Sequence, residues 1–125
     1  MQNLITPSGF GIPSVNFNAV SGILIMKGRS IPEHPKAMFT PIINWIIDYL
    51  KQPAAKTELI LKLDYINSSS YKFMLNIMEL FTPIKESTTI KWYYELDDDD
   101  MKEVGAELKN IIPVTIEMIG VEEFE

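Results

Sequence analysis

Four groups of side chains in this 125-residue chain have the types and spacing to do chemistry. The first is Asn67-Ser68-Ser69-Ser70, three hydroxyls in a row behind an amide. Such a run can cap a helix, a side-chain oxygen taking up a free amide of the first turn for about 1 kcal/mol. It can equally offer a hydroxyl to a kinase, whose phosphate would add about −1.5 to −2 charge beside open backbone N–H groups. Spacing alone favours the cap, because Asx and Ser residues begin most helices. The second group, Asp97-Asp98-Asp99-Asp100, has the hard oxygen ligands that Mg²⁺ or Ca²⁺ prefer. Consecutive side chains diverge, however, and no loop of alternating acids with a later bidentate Glu is present. Acid at the positive end of a helix dipole is the simpler reading. In Trp92-Tyr93-Tyr94, strand alternation would put Tyr93 on the face opposite Trp92 and Tyr94. Sheet packing is the plain role there, and an exposed anchor for a protein partner the functional one. His34, the single histidine, has Glu33 as its nearest acid in sequence and reads as a polar helix-start residue rather than a base.

The rest of the composition narrows the classes. With no cysteine, the chain has no thiol nucleophile, disulfide or Cys/His dyad, and one histidine cannot build a multi-histidine metal site. Gly9 and Gly11 lack a third glycine and do not join a strand to a helix, so a phosphate-cradling loop is missing. Eleven Lys and Arg against 17 Asp and Glu give a net charge of −6 without a basic run, which argues against nucleic acid as a partner. The apolar stretches are broken by Asn44, Asp48 or Lys62 short of the ~20 residues a membrane span needs. Met1-Gln2-Asn3-Leu4 has no basic region ahead of an apolar core. A soluble, unprocessed, cytoplasmic protein with no membrane partner and no cofactor is expected, and no catalytic residue or metal-ligand set can be assembled.

The elements that must hold these groups follow from periodicity. Val15 and Phe17, then Ile23-Leu24-Ile25-Met26, flank Ala19-Val20-Ser21-Gly22 and predict a β-hairpin closed by Gly28. Ser30-Ile31-Pro32-Glu33 is suited to opening a helix, and from about Pro35 the residues Met38, Phe39, Ile42, Ile43, Ile46, Ile47 and Leu50 mark one buried helical face that ends at Lys51-Gln52-Pro53. Pro41 falls inside that run, so either the first turn begins near it or the helix kinks. Leu59, Leu61, Leu63 and Tyr65 alternate along a strand from Thr57 to Ile66, expected to be central. After the Asn67–Ser70 break, Tyr71, Met74, Leu75, Met78 and Phe81 mark a helix ending at Thr82-Pro83. Thr88–Leu96 is the next strand, Met101, Val104, Leu108 and Ile111 the next helix, and Val114–Ile119 the closing strand, with an acidic tail from Gly120 to Glu125 expected to fray. The predicted fold class is α/β: a mixed β-sheet opened by a hairpin, with about three helices on crossovers, in one domain spanning residues 1–125.

Three stretches also carry a resemblance. Gly28-Arg29-Ser30-Ile31-Pro32-Glu33, Asp64-Tyr65-Ile66-Asn67-Ser68-Ser69-Ser70 and the segment Trp92-Tyr93-Tyr94-Glu95-Leu96-Asp97-Asp98-Asp99-Asp100-Met101-Lys102-Glu103-Val104-Gly105 stand in an order and spacing similar to the SiaC-type regulatory phosphoproteins. These are small bacterial proteins with a STAS-like fold, and the similarity covers most of residues 13–119. It implies a non-enzymatic switch: a Ser/Thr kinase modifies the chain, a PP2C-like phosphatase reverses this, and the unmodified form binds a partner. In the family's namesake pathway that partner is a diguanylate cyclase, which makes cyclic di-GMP. The family's acceptor follows the Asn of a tyrosine-x-asparagine motif and falls on Ser68, with Ser69 and Ser70 as neighbouring hydroxyls; some members carry Thr there. Partner contact is expected around Asn67, Ser68, Ser69 and Lys72, with Tyr93 as an aromatic anchor. Two other classes compete: a small divalent-metal-dependent enzyme built on the acidic run, and an interaction domain that does not switch.

Overall fold

A computed structural model describes residues 1–124. Its centre is one six-stranded sheet in the order β1-β2-β3-β4-β5-β6, with β1 at Leu4–Thr6, β2 at Ser14–Phe17, β3 at Ile23–Ser30, β4 at Thr57–Ile66, β5 at Thr88–Glu95 and β6 at Thr115–Val121. The first three strands pair antiparallel and the remaining pairs are parallel. Each parallel crossover carries one helix: α1 over Pro35–Tyr49, α2 over Ser68–Leu80 followed by a 3₁₀ segment Thr82–Ser87, and α3 over Asp99–Ile111. The parallel strands are added in one direction, so crossovers of one hand lay all three helices on one face of the sheet.

Strand periodicity supplies that face. Leu24 and Met26 in β3, Leu59, Leu61 and Leu63 in β4, Ile90 and Trp92 in β5, and Ile116 in β6 are buried, while the residues between them point to the side no helix covers. Phe39, Ile42, Ile46 and Tyr49 from α1, Met74, Ile77 and Met78 from α2, and Met101 and Leu108 from α3 pack onto the buried face. Ile47, counted with the buried stripe by spacing, is 44% exposed. Among the described residues, every buried side-chain nitrogen and oxygen has a hydrogen-bond partner.

Five local expectations need correction. β1 escapes a reading of periodicity because three residues at a sheet edge carry no repeat. Gly28 does not close β3: it sits at φ 121° where the β3–β4 register shifts, and the strand runs on to a buried Ser30. Ser30–Glu33 therefore does not cap α1: the helix starts at Pro35, where the spacing placed it, behind His34, a cap position without a side-chain hydrogen bond. Pro41 lies inside α1 on its exposed side, where water can serve the carbonyl that the missing N–H leaves open. The tail is ordered further than expected: β6 continues to Val121, whose carbonyl accepts from the Leu96 N–H, and the Phe124 N–H donates to Glu95 Oε2 at 3.2 Å. Glu125, the end of that tail, lies outside the described residues.

Candidate functional site

At the start of α2 the fold gives the three serines three different roles. Asn67, in extended geometry, is the N-cap, its Oδ1 accepting from the Ser70 N–H and from the Ser69 hydroxyl at 3.0 Å each. Ser70 turns into the core with no exposed surface. Its hydroxyl donates to the Ser30 carbonyl at 2.9 Å; with that proton committed, its oxygen accepts from the Ser30 hydroxyl at 2.8 Å. The Asn67 N–H donates to the same Ser30 carbonyl at 3.1 Å. Residues 40 positions apart thus clasp the end of β3 to the start of α2. Ser69 is half-buried, and Ser68, the first residue of α2, is exposed.

The clasp has a measurable energy. Ser70→Ala strands the Ser30 hydroxyl in a buried site and is expected to cost about 1–3 kcal/mol. Ser69→Ala, at a half-exposed position, should stay within about 0.5 kcal/mol of the native protein. Urea unfolding midpoints separate the two, and equal midpoints would deny the clasp.

The first turn of α2 contains no acidic side chain, so its positive dipole end and open amides face solvent uncompensated beside Ser68. Lys72, exposed one turn on at i+4, shares that face. Tyr71 has its phenol held above the ordinary tyrosine range, by burial first and by the negative charge of Glu107 second. It therefore stays neutral through the physiological range.

Asn67, Ser68, Ser69 and Lys72 lie together at the start of α2, Ser68 and Lys72 exposed and Asn67 and Ser69 half-buried. Tyr93 stands apart from them, on the helix-free face of the sheet, with Lys62 Nζ 5.0 Å from its ring centroid. Trp92 points the other way, buried under α3, and its indole N–H donates to the Met101 carbonyl at 2.9 Å. The acidic run is a helix start: Asp98 caps α3 by accepting from the Met101 N–H at 3.1 Å, with Asp99 and Asp100 in the first turn. Among the described residues, no three acidic or histidine side chains converge where a metal ion could be held, and no helix is long and apolar enough to cross a membrane. Sequence reasoning did not find the pairing of Ser30 with Ser70, nor Arg29 stacked 5.6 Å from the Tyr65 ring centroid. Both are contacts between distant segments that no local pattern announces.

Comparison with known proteins agrees over nearly the whole chain. The model of the SiaC family regulatory phosphoproteins matches residues 7–121. An uncharacterized protein of Pseudomonas aeruginosa strain UCBPP-PA14 is 28% identical over 112 residues, covering 87% of this chain and 89% of the relative. The crystal structure of apo-SiaC from Pseudomonas aeruginosa superposes with a TM-score of 0.86 at 26% identity, covering 95% of this chain and 99% of that one. SiaC in the crystal structure of the diguanylate cyclase SiaD in complex with its activator SiaC, from the same species, gives 0.88 at 25% identity, covering 94% and 99%. The six-stranded mixed sheet, its three helices and the sequence match lead to one conclusion: the chain belongs to the SiaC family of regulatory phosphoproteins.

Proposed function

We propose that this chain is a non-enzymatic, cytoplasmic activator of a diguanylate cyclase, switched off by phosphorylation of Ser68. The observation that carries the proposal is the sorting of hydroxyls at the head of α2, where Ser70 is sealed against Ser30, Ser69 is tied to Asn67, and Ser68 alone is exposed. A Ser/Thr kinase can approach that side chain without unfolding the helix, and a PP2C-like phosphatase can reach the product. The activator role of SiaC toward SiaD in the related complex supports a cyclase as the partner.

The physics of the switch is exclusion rather than melting. At the first position of α2 a phosphate lies beside open amides and the positive dipole end, which stabilise it locally by about 0.3–1 kcal/mol. The helix therefore persists. What changes is the surface, because a doubly charged group must be desolvated before a partner can pack on Asn67, Ser69 and Lys72. Peptide mapping of the protein isolated from its host tests the assignment. The expected result is one phosphate on Ser68, removed by a PP2C-type phosphatase; phosphate confined to Ser69 or Ser70, or absent under every growth condition, would contradict it.

A further inference from the structure

Phe10, in the connection between β1 and β2, is 98% exposed, more than any other large apolar side chain among the described residues. It does not sit on a loose loop. Gly9 and Ile12 exchange backbone hydrogen bonds at 2.9 and 3.1 Å, which makes Phe10 and Gly11 the central pair of a tight turn. Gly11 has φ 69°, the left-handed conformation that favours glycine at this turn position. A Cβ there would stand 2.8 Å from the Ile31 carbonyl oxygen. The Gly11 carbonyl accepts from the Ile31 N–H at 2.9 Å, so the turn is fastened to the chain leaving β3. An apolar hollow of about 180 Å³, lined in part by Pro7, Ile12, Met38 and Ile42, opens beside the turn, yet the ring is held outside it.

The surroundings are uncharged. Residues 1–26 contain no Asp, Glu, Lys, Arg or His in a chain that is otherwise 22% charged, and Ile5 and Ile12 on either side of the turn are exposed as well. Such a surface can be covered without stranding an ion. A backbone already fixed also costs little ordering entropy on binding. The turn stands at the same end of the sheet as Ser68. The Ile31 N–H bonds to Gly11 on one side of β3, and the carbonyl of the preceding Ser30 accepts from the Asn67 N–H on the other. Two strand spacings, roughly 10 Å, therefore separate the turn from the head of α2. An interface of standard size, about 800 Å² on each partner, covers both.

We propose that Phe10 is the apolar anchor by which this chain docks on the diguanylate cyclase, its ring entering an uncharged apolar pocket of the cyclase beside the segment that meets Ser68. The anchor rests on the cyclase-activator reading above and deepens it. A phosphate on Ser68 then lies within the surface that must lose its water for the ring to seat.

Isothermal titration of the full chain against the host's diguanylate cyclase tests this. Phe10→Ala is expected to weaken binding about tenfold or more, and Phe10→Leu, which keeps an apolar side chain, to lose less. Val20→Ala removes an 88% exposed side chain from the β2–β3 turn at the other end of the sheet and should stay within roughly twofold. Side chains so exposed touch little in the free protein, so all three forms should unfold at the native temperature. Native affinity in Phe10→Ala would overturn the anchor and leave the Ser68 switch standing. Loss in Phe10→Ala with retained binding by Ser68→Glu would uphold the anchor and overturn the switch. Failure of the native chain to bind any host diguanylate cyclase would overturn both. Sedimentation of the native chain alone is expected to show a monomer; a dimer lost in Phe10→Ala would give the ring to a second copy and overturn the anchor.

Discussion

Ser68→Glu is expected to abolish capture of the cyclase partner, weakening binding on the order of a hundredfold, or about 3 kcal/mol, while Ser68→Ala binds as the native protein does. The asymmetry follows from where Ser68 lies. Its side chain is exposed on the first residue of α2, so the loss of one hydroxyl removes no buried contact and should change stability by less than about 0.5 kcal/mol. A carboxylate there is comfortable in the free protein, since Asn67 already caps the helix and the first turn contains no acid to repel it. Thermal unfolding of Ser68→Glu should therefore occur at or slightly above the native temperature. Lost binding with undiminished stability is the signature of a surface made incompatible with docking. Lost binding with a lowered unfolding temperature would instead mean that α2 had been disturbed.

The second large effect concerns the aromatic-acidic stretch and is structural. Trp92→Ala should cost about 3–5 kcal/mol, because the indole is buried and ties β5 to the first turn of α3 through its bond to the Met101 carbonyl. Gly105 lies in α3 directly over that ring. A Cβ added there would press into the Trp92 indole, with Nε1 at 2.5 Å, and stand 2.8 Å from Met118 Cε. Helix propensity favours Ala over Gly by about 1 kcal/mol, whereas forcing an atom into a packed site costs about 1–3 kcal/mol. The hydrogen-bonded indole cannot yield as a flexible side chain would, so the clash wins and Gly105→Ala destabilises. With Trp92→Ala already in place the clash is gone, and the same substitution should become neutral or stabilising. Urea titrations of the four proteins give the coupling, expected to exceed about 1 kcal/mol; additive effects would show that Gly105 is not there to admit the indole.

Much of this was legible from local pattern. Leu59, Leu61 and Leu63 alternate because one face of β4 is covered and the other is not, and the Asn67 cap and the Asp98 helix start are each set within four residues. From β2 onward, the order of strands and helices followed from the same signals. What did not follow depends on separate segments meeting. The bulge at Gly28 and the Ser30–Ser70 bond arise only once β3 lies beside β4. Tyr93 illustrates the limit from the other side: alternation put it opposite Trp92, but only the arrangement of α1, α2 and α3 on one face shows that it is separated from Ser68. The family motifs fall on the junction of β3, β4 and α2 without explaining it. Their physical content is that Gly28–Glu33 supplies the Ser30 end of the clasp and Asp64–Ser70 the Asn67 and Ser70 end, which leaves Ser68 outside.

The most direct measurement is a titration of the cyclase with the stoichiometrically phosphorylated chain, repeated on the same sample after treatment with a PP2C-type phosphatase. No binding before treatment and full native affinity after it, with circular dichroism unchanged throughout, is the predicted result. Equal affinity before and after, with the phosphate mapped to Ser68, would contradict the switch.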